Sequence, residues 1–148
     1  INEKNGLSFC GYLAGEEVEK LLGRSKFLII IEAFGKEAVC RTRYSLSTKV
    51  AESLRSGACI LAYGPQDVAS ISYLQHYQAA CILSSAGELP GAVKRLCAEP
   101  DAYTNYVRTA MQLADRFHNA EKIEKMMNDI LQKAIERVPK TDMEVNKE

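Results

Sequence analysis

Several features that would assign a chain of this size to a class by themselves are missing from its sequence. Acidic and basic residues balance at 19 each, so there is none of the basic excess that nucleic-acid-binding domains usually carry. No apolar run approaches the roughly 20 residues that span a bilayer, and no signal peptide is visible. The patterns G-x-G-x-x-G and G-x-x-x-x-G-K-[ST] are absent too. We therefore expect neither a polyanion-binding surface nor a membrane span, and the common nucleotide motifs give no guide.

The cysteines also lack a functional pattern. Five are present, an odd number, and no C-x-x-C pair occurs, so we expect no metal site. Cys59 and Cys81 stand in apolar runs and are expected to be small buried hydrophobic residues. Free thiols fit a reducing compartment, which predicts a cytoplasmic protein.

Length and composition suit one ordinary domain. The chain has 148 residues, of which 47% are hydrophobic and 26% are charged, enough to fill one core and to cover it. We expect a single α/β domain over residues 1–138 and a flexible polar tail over residues 139–148. Because the chain starts with Ile1 rather than methionine, we also expect it to be part of a larger protein.

Short apolar runs alternate with helical patterns along the first hundred residues. "FLIII" and "ACILAY" are uninterrupted, as in strands that are buried on both faces of a parallel sheet. The alternation predicts a Rossmann-like α/β fold with helices on both faces of the sheet. Strands are expected near residues 7–12, 27–31, 59–63 and 80–83.

The last third of the chain is helical in pattern. Two amphipathic stripes follow Pro100, and Asn119 is placed to cap the second helix. Such apolar stripes predict packing rather than cofactor binding. We expect both helices to pack on the sheet through Tyr106, Met111, Phe117, Met127 and Leu131.

A polar stretch before the second buried strand carries the chemistry. Residues 32–47 are expected to form a long loop that leads from the carboxyl end of a strand to a helix beginning near Ser47. Ligands of open α/β sheets bind at such strand ends, and helix amino ends bind phosphate. The hydroxyls and cations gathered there predict a diphosphate site formed by Arg41, Arg43, Ser47, Thr48 and Lys49.

Glu52 extends this site. It lies four residues beyond Thr48, on the same side of the helix, where its carboxylate could accept two hydrogen bonds from a ribose diol. A plainer interpretation stays open: Ser47 is also an ordinary helix cap, and Lys49 and Glu52 are spaced to form a surface ion pair.

The residues "STKVAESLRSGACILAYGP" and "DVASISYL" resemble the nucleotide-sugar-binding half of GT-B glycosyltransferases, most closely the retaining family 4 group. "FCGYL" is similar to the family's segment before the donor base pocket, and "LLGRSKFLIII" to the helix and strand leading into the donor loop. "LCAEPDAYTNYVRTAMQLADRFHNAEKIEKMMNDIL" resembles its closing helices. The resemblance covers roughly residues 7–135.

The resemblance implies the donor-binding part of a glycosyltransferase of the hexosyltransferase type. Such an enzyme moves a sugar from a nucleotide-diphosphate sugar to a sugar or other hydroxyl acceptor, and it needs no cofactor or metal. Glu52 would hold the ribose, and Ser47, Thr48 and Lys49 would meet the diphosphate. The base would lie near Gly11, Tyr12 and Leu13.

The chain departs from the family in three respects. Many relatives have a second glutamate eight positions before the ribose-binding one, and Tyr44 stands there instead. An earlier strand–helix portion of the domain and the acceptor-binding N-terminal domain are both missing. The resemblance therefore implies that the isolated fragment is inactive and that its partner is the missing N-terminal domain, through which peripheral membrane contact would occur.

Two other functions stay open. A nucleotide-sugar epimerase of the same fold would need carboxylates and histidines at the cleft, but His76 and His118 fit surface or packing roles better. A non-catalytic interaction module would use the exposed side of the helices over residues 103–137. No Asp-x-Asp pair suggests metal-dependent donor binding, and no catalytic base can be assigned from the sequence.

Overall fold

Three parallel strands form a sheet at the centre of the protein, whose computed structural model describes residues 8–137. The sheet order is β1-β2-β3, and Phe27 pairs with Cys59 while Leu61 pairs with Cys81. The parallel arrangement and the three later predicted strands are confirmed. The strands are β1 Phe27–Ile31, β2 Cys59–Tyr63 and β3 Cys81–Leu83.

Seven α-helices surround the sheet within the described residues. Three of them lie between successive strands, as expected for parallel pairing, in which each strand must be reached by a crossover. A short 3-10 turn, Ala86–Glu88, precedes the fifth helix. The helices are α1 Gly15–Arg24, α2 Lys36–Thr42, α3 Thr48–Arg55, α4 Ala69–His76, α5 Leu89–Ala98, α6 Pro100–Phe117 and α7 Ala120–Glu136.

The core lies on both faces of the sheet, which confirms the predicted helix–sheet–helix layering. On one face, α3, α4 and the second half of α6 pack against β2. On the other face, α5 and the first half of α6 pack against the alternate side chains of the same strands. Residues of β2 are buried on both sides, which explains why its sequence is continuously apolar. Fully buried side chains include Val50, Leu54, Ile60, Leu61, Ile71, Leu74 and Leu96.

The predicted strand at residues 7–12 is wrong for its described part, residues 8–12. Gly11 has a φ of +70°, which interrupts an extended backbone, and no neighbouring strand pairs with this segment in the described structure. Phe9 and Tyr12 are 76% and 97% exposed. Residue 7 and the predicted tail 139–148 lie outside the described residues.

The stretch 32–47 is not a continuous loop. It contains the short helix α2, in which Arg41 forms an ion pair with Glu37 one turn earlier. An i,i+4 pair of this sign supports a helix locally. Arg41 is therefore engaged on α2 rather than placed at the start of α3.

The predicted packing of the last helix on the sheet is wrong. Asn119 caps α7 as expected, because its side chain accepts a hydrogen bond from the Lys122 N–H at 3.2 Å. None of the residues of α7 is buried, however, and Met127 and Leu131 are 60% and 54% exposed. In α6 the buried residues are Ala110, Leu113 and Ala114. Of the contacts predicted for this helix, Tyr106 packs against the core, whereas Met111 and Phe117 are exposed.

Along residues 8–137, each helix is too short or too polar to cross a bilayer.

Candidate functional site

Helix α3 begins at the carboxyl edge of the sheet because it links the end of β1 to the start of the parallel strand β2. Ser47 occupies the cap position, but its hydroxyl makes no capping hydrogen bond. Its backbone N–H donates instead to the Oγ of the buried Ser70 at 3.2 Å, which ties the start of α3 to α4. The cap position therefore provides no side-chain acceptor for the first-turn N–H groups of α3, which include those of Thr48 and Lys49.

Glu52 lies in a groove between α1 and α3. The groove has a volume of about 600 Å³, and the carboxylate is exposed to it. Arg55 brings a cation to the same groove, and Thr48 stands one turn before Glu52 on that side of α3. The groove therefore offers polar groups of both signs, but Ser47, Thr48 and Lys49 at the start of α3 do not line it. Its lining residues are Gly15, Val18, Glu19, Leu22, Gly23, Glu52, Arg55 and Ser56.

The three residues expected near the base come just before α1. Leu13 is two residues from Gly15, which lines the groove of Glu52. Tyr12 is 97% exposed and offers an aromatic face to solvent. None of Gly11, Tyr12 and Leu13 lines the groove of Glu52, and their segment is not a strand.

Arg43 belongs to a different neighbourhood. Its guanidinium forms an ion pair with Asp67, and its carbonyl accepts a hydrogen bond from the Ala69 N–H at 2.8 Å. The hydrogen bond and charge of Asp67 raise the pKa of Arg43 above its usual value. Two open cavities, of about 600 and 390 Å³, share Arg43, Tyr44 and Asp67. Arg43 could contact a phosphate only by exchanging its bond to Asp67.

The surface pair proposed as the plainer interpretation is not formed. Lys49 and Glu52 make no ion pair within residues 8–137, and both side chains are exposed. Both groups are therefore available to a ligand on the outer surface of α3.

Asp67 lies just before α4 but does not cap it, because α4 begins at Ala69 and Val68 occupies the cap position. The carboxylate of Asp67 pairs with Arg43 instead. The local pattern "QDVAS" is typical of a helix cap, so the sequence gives no separate indication of the ion pair between Asp67 and Arg43.

Two of the cysteines and both histidines are engaged in packing, whereas Cys10, Cys40 and Cys97 are exposed. Cys59 and Cys81 are buried, as predicted, and burial raises the pKa of the Cys59 thiol to about 12. His118 forms a hydrogen bond of 2.8 Å with the Tyr73 hydroxyl, and the exposed His76 packs its ring against Tyr77. No group of three histidine, cysteine or acidic side chains that could hold a metal ion occurs among the described residues.

Comparisons of the chain with protein-family models, with curated proteins and with solved structures found no match. The small three-stranded parallel sheet covered by helices is compatible with a Rossmann-like fold. Any assignment of function therefore has to rest on the geometry of the site and on the sequence pattern.

Proposed function

We propose that this chain is the donor-binding part of a GT-B glycosyltransferase of the hexosyltransferase type. It would bind a nucleotide-diphosphate sugar, from which the complete enzyme moves the sugar to a hydroxyl acceptor. The observation that carries the proposal is the carboxylate of Glu52, which lies in the groove between α1 and α3 and forms no ion pair within residues 8–137. It stands one turn inside a helix start that has no side-chain cap.

The spacing along α3 suits a nucleoside diphosphate. Thr48 and Glu52 are separated by four residues, which is about 6 Å along a helix axis. A diphosphate at the helix start could accept hydrogen bonds from the first-turn N–H groups and the Thr48 hydroxyl, with Lys49 adding charge. The ribose would then reach Glu52, and the base would turn toward Tyr12 at the start of α1.

The same groups would assist the reaction. When the bond from the sugar to the diphosphate breaks, negative charge grows on the leaving phosphate. The positive end of α3 and the ammonium of Lys49 would stabilise that charge. The acceptor and any catalytic base would come from the proposed N-terminal domain, so we propose that the isolated chain binds the donor without turnover.

The structure gives less support to the alternatives. An epimerase would need a histidine near the bound sugar, but His118 is held by Tyr73 between α4 and α6 and lines no part of the groove of Glu52. An interaction module is favoured by one observation, the exposed apolar side chains of α7. That face is equally compatible with contact to the proposed N-terminal domain, which would also provide peripheral membrane contact in a cytoplasmic enzyme.

A calorimetric screen of the purified chain tests the proposal. Uridine, guanosine and adenosine diphosphates would be titrated beside the corresponding nucleosides, which lack the phosphates. We expect one diphosphate to bind and its nucleoside to bind at least tenfold more weakly, because the helix start contributes through the phosphates. Glu124→Ala, which removes an exposed carboxylate from α7, should leave the affinity unchanged. Failure of all diphosphates and their sugars to bind would refute the proposal.

A further inference from the structure

Two open cavities meet at the carboxyl edge of the sheet, outside the groove of Glu52. Their volumes are about 600 and 390 Å³, and they share Arg43, Tyr44 and Asp67. Phe34, which follows β1, also lines the smaller cavity, and Asp67 follows β2. Because ligands of open α/β sheets bind outside the carboxyl ends of the strands, the cavities lie where a ligand is expected. They share no lining residue with the groove of Glu52.

Two hydrogen bonds place the larger cavity beside the start of α3. Ala69, which lines this cavity, donates its N–H to the Arg43 carbonyl at 2.8 Å. The next residue, Ser70, accepts the N–H of Ser47 on its Oγ at 3.2 Å. The first two residues of α4 thus contact the cavity on one side and the cap position of α3 on the other. A group bonded to a phosphate at the start of α3 is therefore next to the cavity.

The ion pair of Arg43 with Asp67 presents a fixed hydrogen-bond acceptor to the cavities. The guanidinium bonds Oδ2 of the carboxylate, and within residues 8–137 the second oxygen, Oδ1, has no hydrogen-bond partner. About half of each side chain is exposed, so Oδ1 is open to a ligand. A carboxylate oxygen only accepts hydrogen bonds, and bonds from a hydroxyl to a charged acceptor are strong. The pair therefore suits a ligand that carries hydroxyl groups.

Aromatic rings stand beside this carboxylate. Tyr44 lines both cavities and is 91% exposed, and Phe34 lines the smaller one and is 54% exposed. The ring of Phe34 packs against Tyr63 with the ring centroids 4.9 Å apart, which holds it in place. A hexose ring has hydroxyls around its edge and carbon-bound hydrogens on its faces, so its faces pack on aromatic rings while its edge forms hydrogen bonds. Asp67 and Tyr44 together therefore fit a sugar ring.

We propose that the hexosyl unit of the donor binds in the cavities that share Arg43, Tyr44 and Asp67. Oδ1 of Asp67 accepts a hydrogen bond from a sugar hydroxyl, Arg43 holds that carboxylate in position, and the Tyr44 ring packs on a face of the sugar. The donor then has its ribose at Glu52, its diphosphate at the start of α3 and its hexose beyond the diphosphate. This inference rests on the proposed function and adds to it the residues that recognise the transferred sugar.

Calorimetric titration of Asp67→Ala tests the role of the carboxylate. The titrants are uridine, guanosine and adenosine diphosphates and their hexose derivatives: uridine diphosphate glucose, guanosine diphosphate mannose and adenosine diphosphate glucose. Asp67→Ala should bind the hexose derivative roughly tenfold more weakly than the wild type does, because a hydrogen bond to a charged acceptor is lost. It should bind the bare diphosphate at least as tightly. The matched control is Asp129→Ala, which removes an exposed carboxylate from α7 and should leave both affinities unchanged.

Two substitutions of Tyr44 test the role of the ring. Tyr44→Ala removes the aromatic face and should weaken binding of the hexose derivative severalfold, with little effect on the bare diphosphate. Tyr44→Phe keeps the ring and should recover most of the loss. Because Tyr44 is exposed, neither variant should unfold the protein, and far-UV circular dichroism would check this. Equal binding of the hexose derivative by Tyr44→Ala and the wild type would overturn the assignment of the ring.

The result for Asp67→Ala separates this inference from the proposed function. If Asp67 only competes with the phosphates for Arg43, its removal should tighten binding of both titrants. Tighter or unchanged binding of the hexose derivative would therefore overturn the inference, while binding of the diphosphate by the wild type would leave the proposed function in place. If the wild type binds no diphosphate and no hexose derivative, the proposed function fails and this inference fails with it.

Discussion

Truncation of one leucine in α3 and one in α7 tests the packing most sharply. Leu54 is 0% exposed and lies in the core cluster that α3 forms with β2 and α4. Leu131 has the same side chain, but it is 54% exposed on α7. Leu54→Ala and Leu131→Ala are thus one chemical change in two environments, and only the first removes buried contacts.

The two costs should differ severalfold. Deleting a fully buried leucine side chain usually costs ~2–5 kcal/mol of the free energy of unfolding, the upper values applying where the cavity cannot collapse. Exposed substitutions stay within about 0.5 kcal/mol. Urea unfolding followed by far-UV circular dichroism would measure both at one protein concentration, because association would make stability depend on concentration. A cost above ~2 kcal/mol for Leu131→Ala would refute the described placement of α7.

Two further predictions concern the thiols and the ion pair beside the site. Burial raises the pKa of the Cys59 thiol from 9.0 to about 12, so between these pH values the folded protein keeps the proton and the unfolded chain loses it. The free energy of unfolding should therefore fall from pH 9 to pH 12. Cys59→Ala should make this fall less steep, and an unchanged slope in the variant would contradict the prediction. Asp67→Asn removes the carboxylate that would compete with a phosphate for Arg43. Calorimetry should therefore show roughly two- to fivefold tighter binding of the nucleoside diphosphate. An unchanged affinity would show that Arg43 does not belong to the donor site.

The strands β1 and β2 could be predicted from the uninterrupted apolar runs "FLIII" and "CILAY", and the structure has strands at those bounds. Burial on both faces explains the run in β2, but the same expectation is wrong for β1, in which Ile29 and Ile31 are exposed. Residues 8–12 are apolar too, but a strand needs a partner, and the sequence does not say whether one is present. The left-handed Gly11 also breaks the segment in a way that composition does not reveal.

The amphipathic stripe of α7 illustrates the same limit. Its period predicts a helix with one apolar face, and Asn119 predicts where that helix begins. The period does not specify what covers the face. In the described structure the helix and its start are as predicted, but its packing on the sheet is not, since Met127 and Leu131 remain exposed.

The candidate site was predictable where it depends on neighbours in the chain. Thr48 and Glu52 share one side of α3 because helix geometry places residues i and i+4 together. The ion pair of Arg43 with Asp67 joins residues 24 positions apart, and the groove beside Glu52 is completed by α1. Contacts of that kind arise from the tertiary fold, so residue spacing alone could not give them.

The account's central claim, that Glu52 binds the donor ribose, is tested most directly by calorimetric titration of the wild type, Glu52→Ala and Glu52→Gln. The titrant is the nucleoside diphosphate that the wild type binds best. Hydrogen bonds to a carboxylate contribute ~1.5–3 kcal/mol each, so Glu52→Ala should bind roughly ten- to a hundredfold more weakly. Glu52→Gln keeps one acceptor and should lose less. Equal affinities of the wild type and Glu52→Ala would contradict the claim.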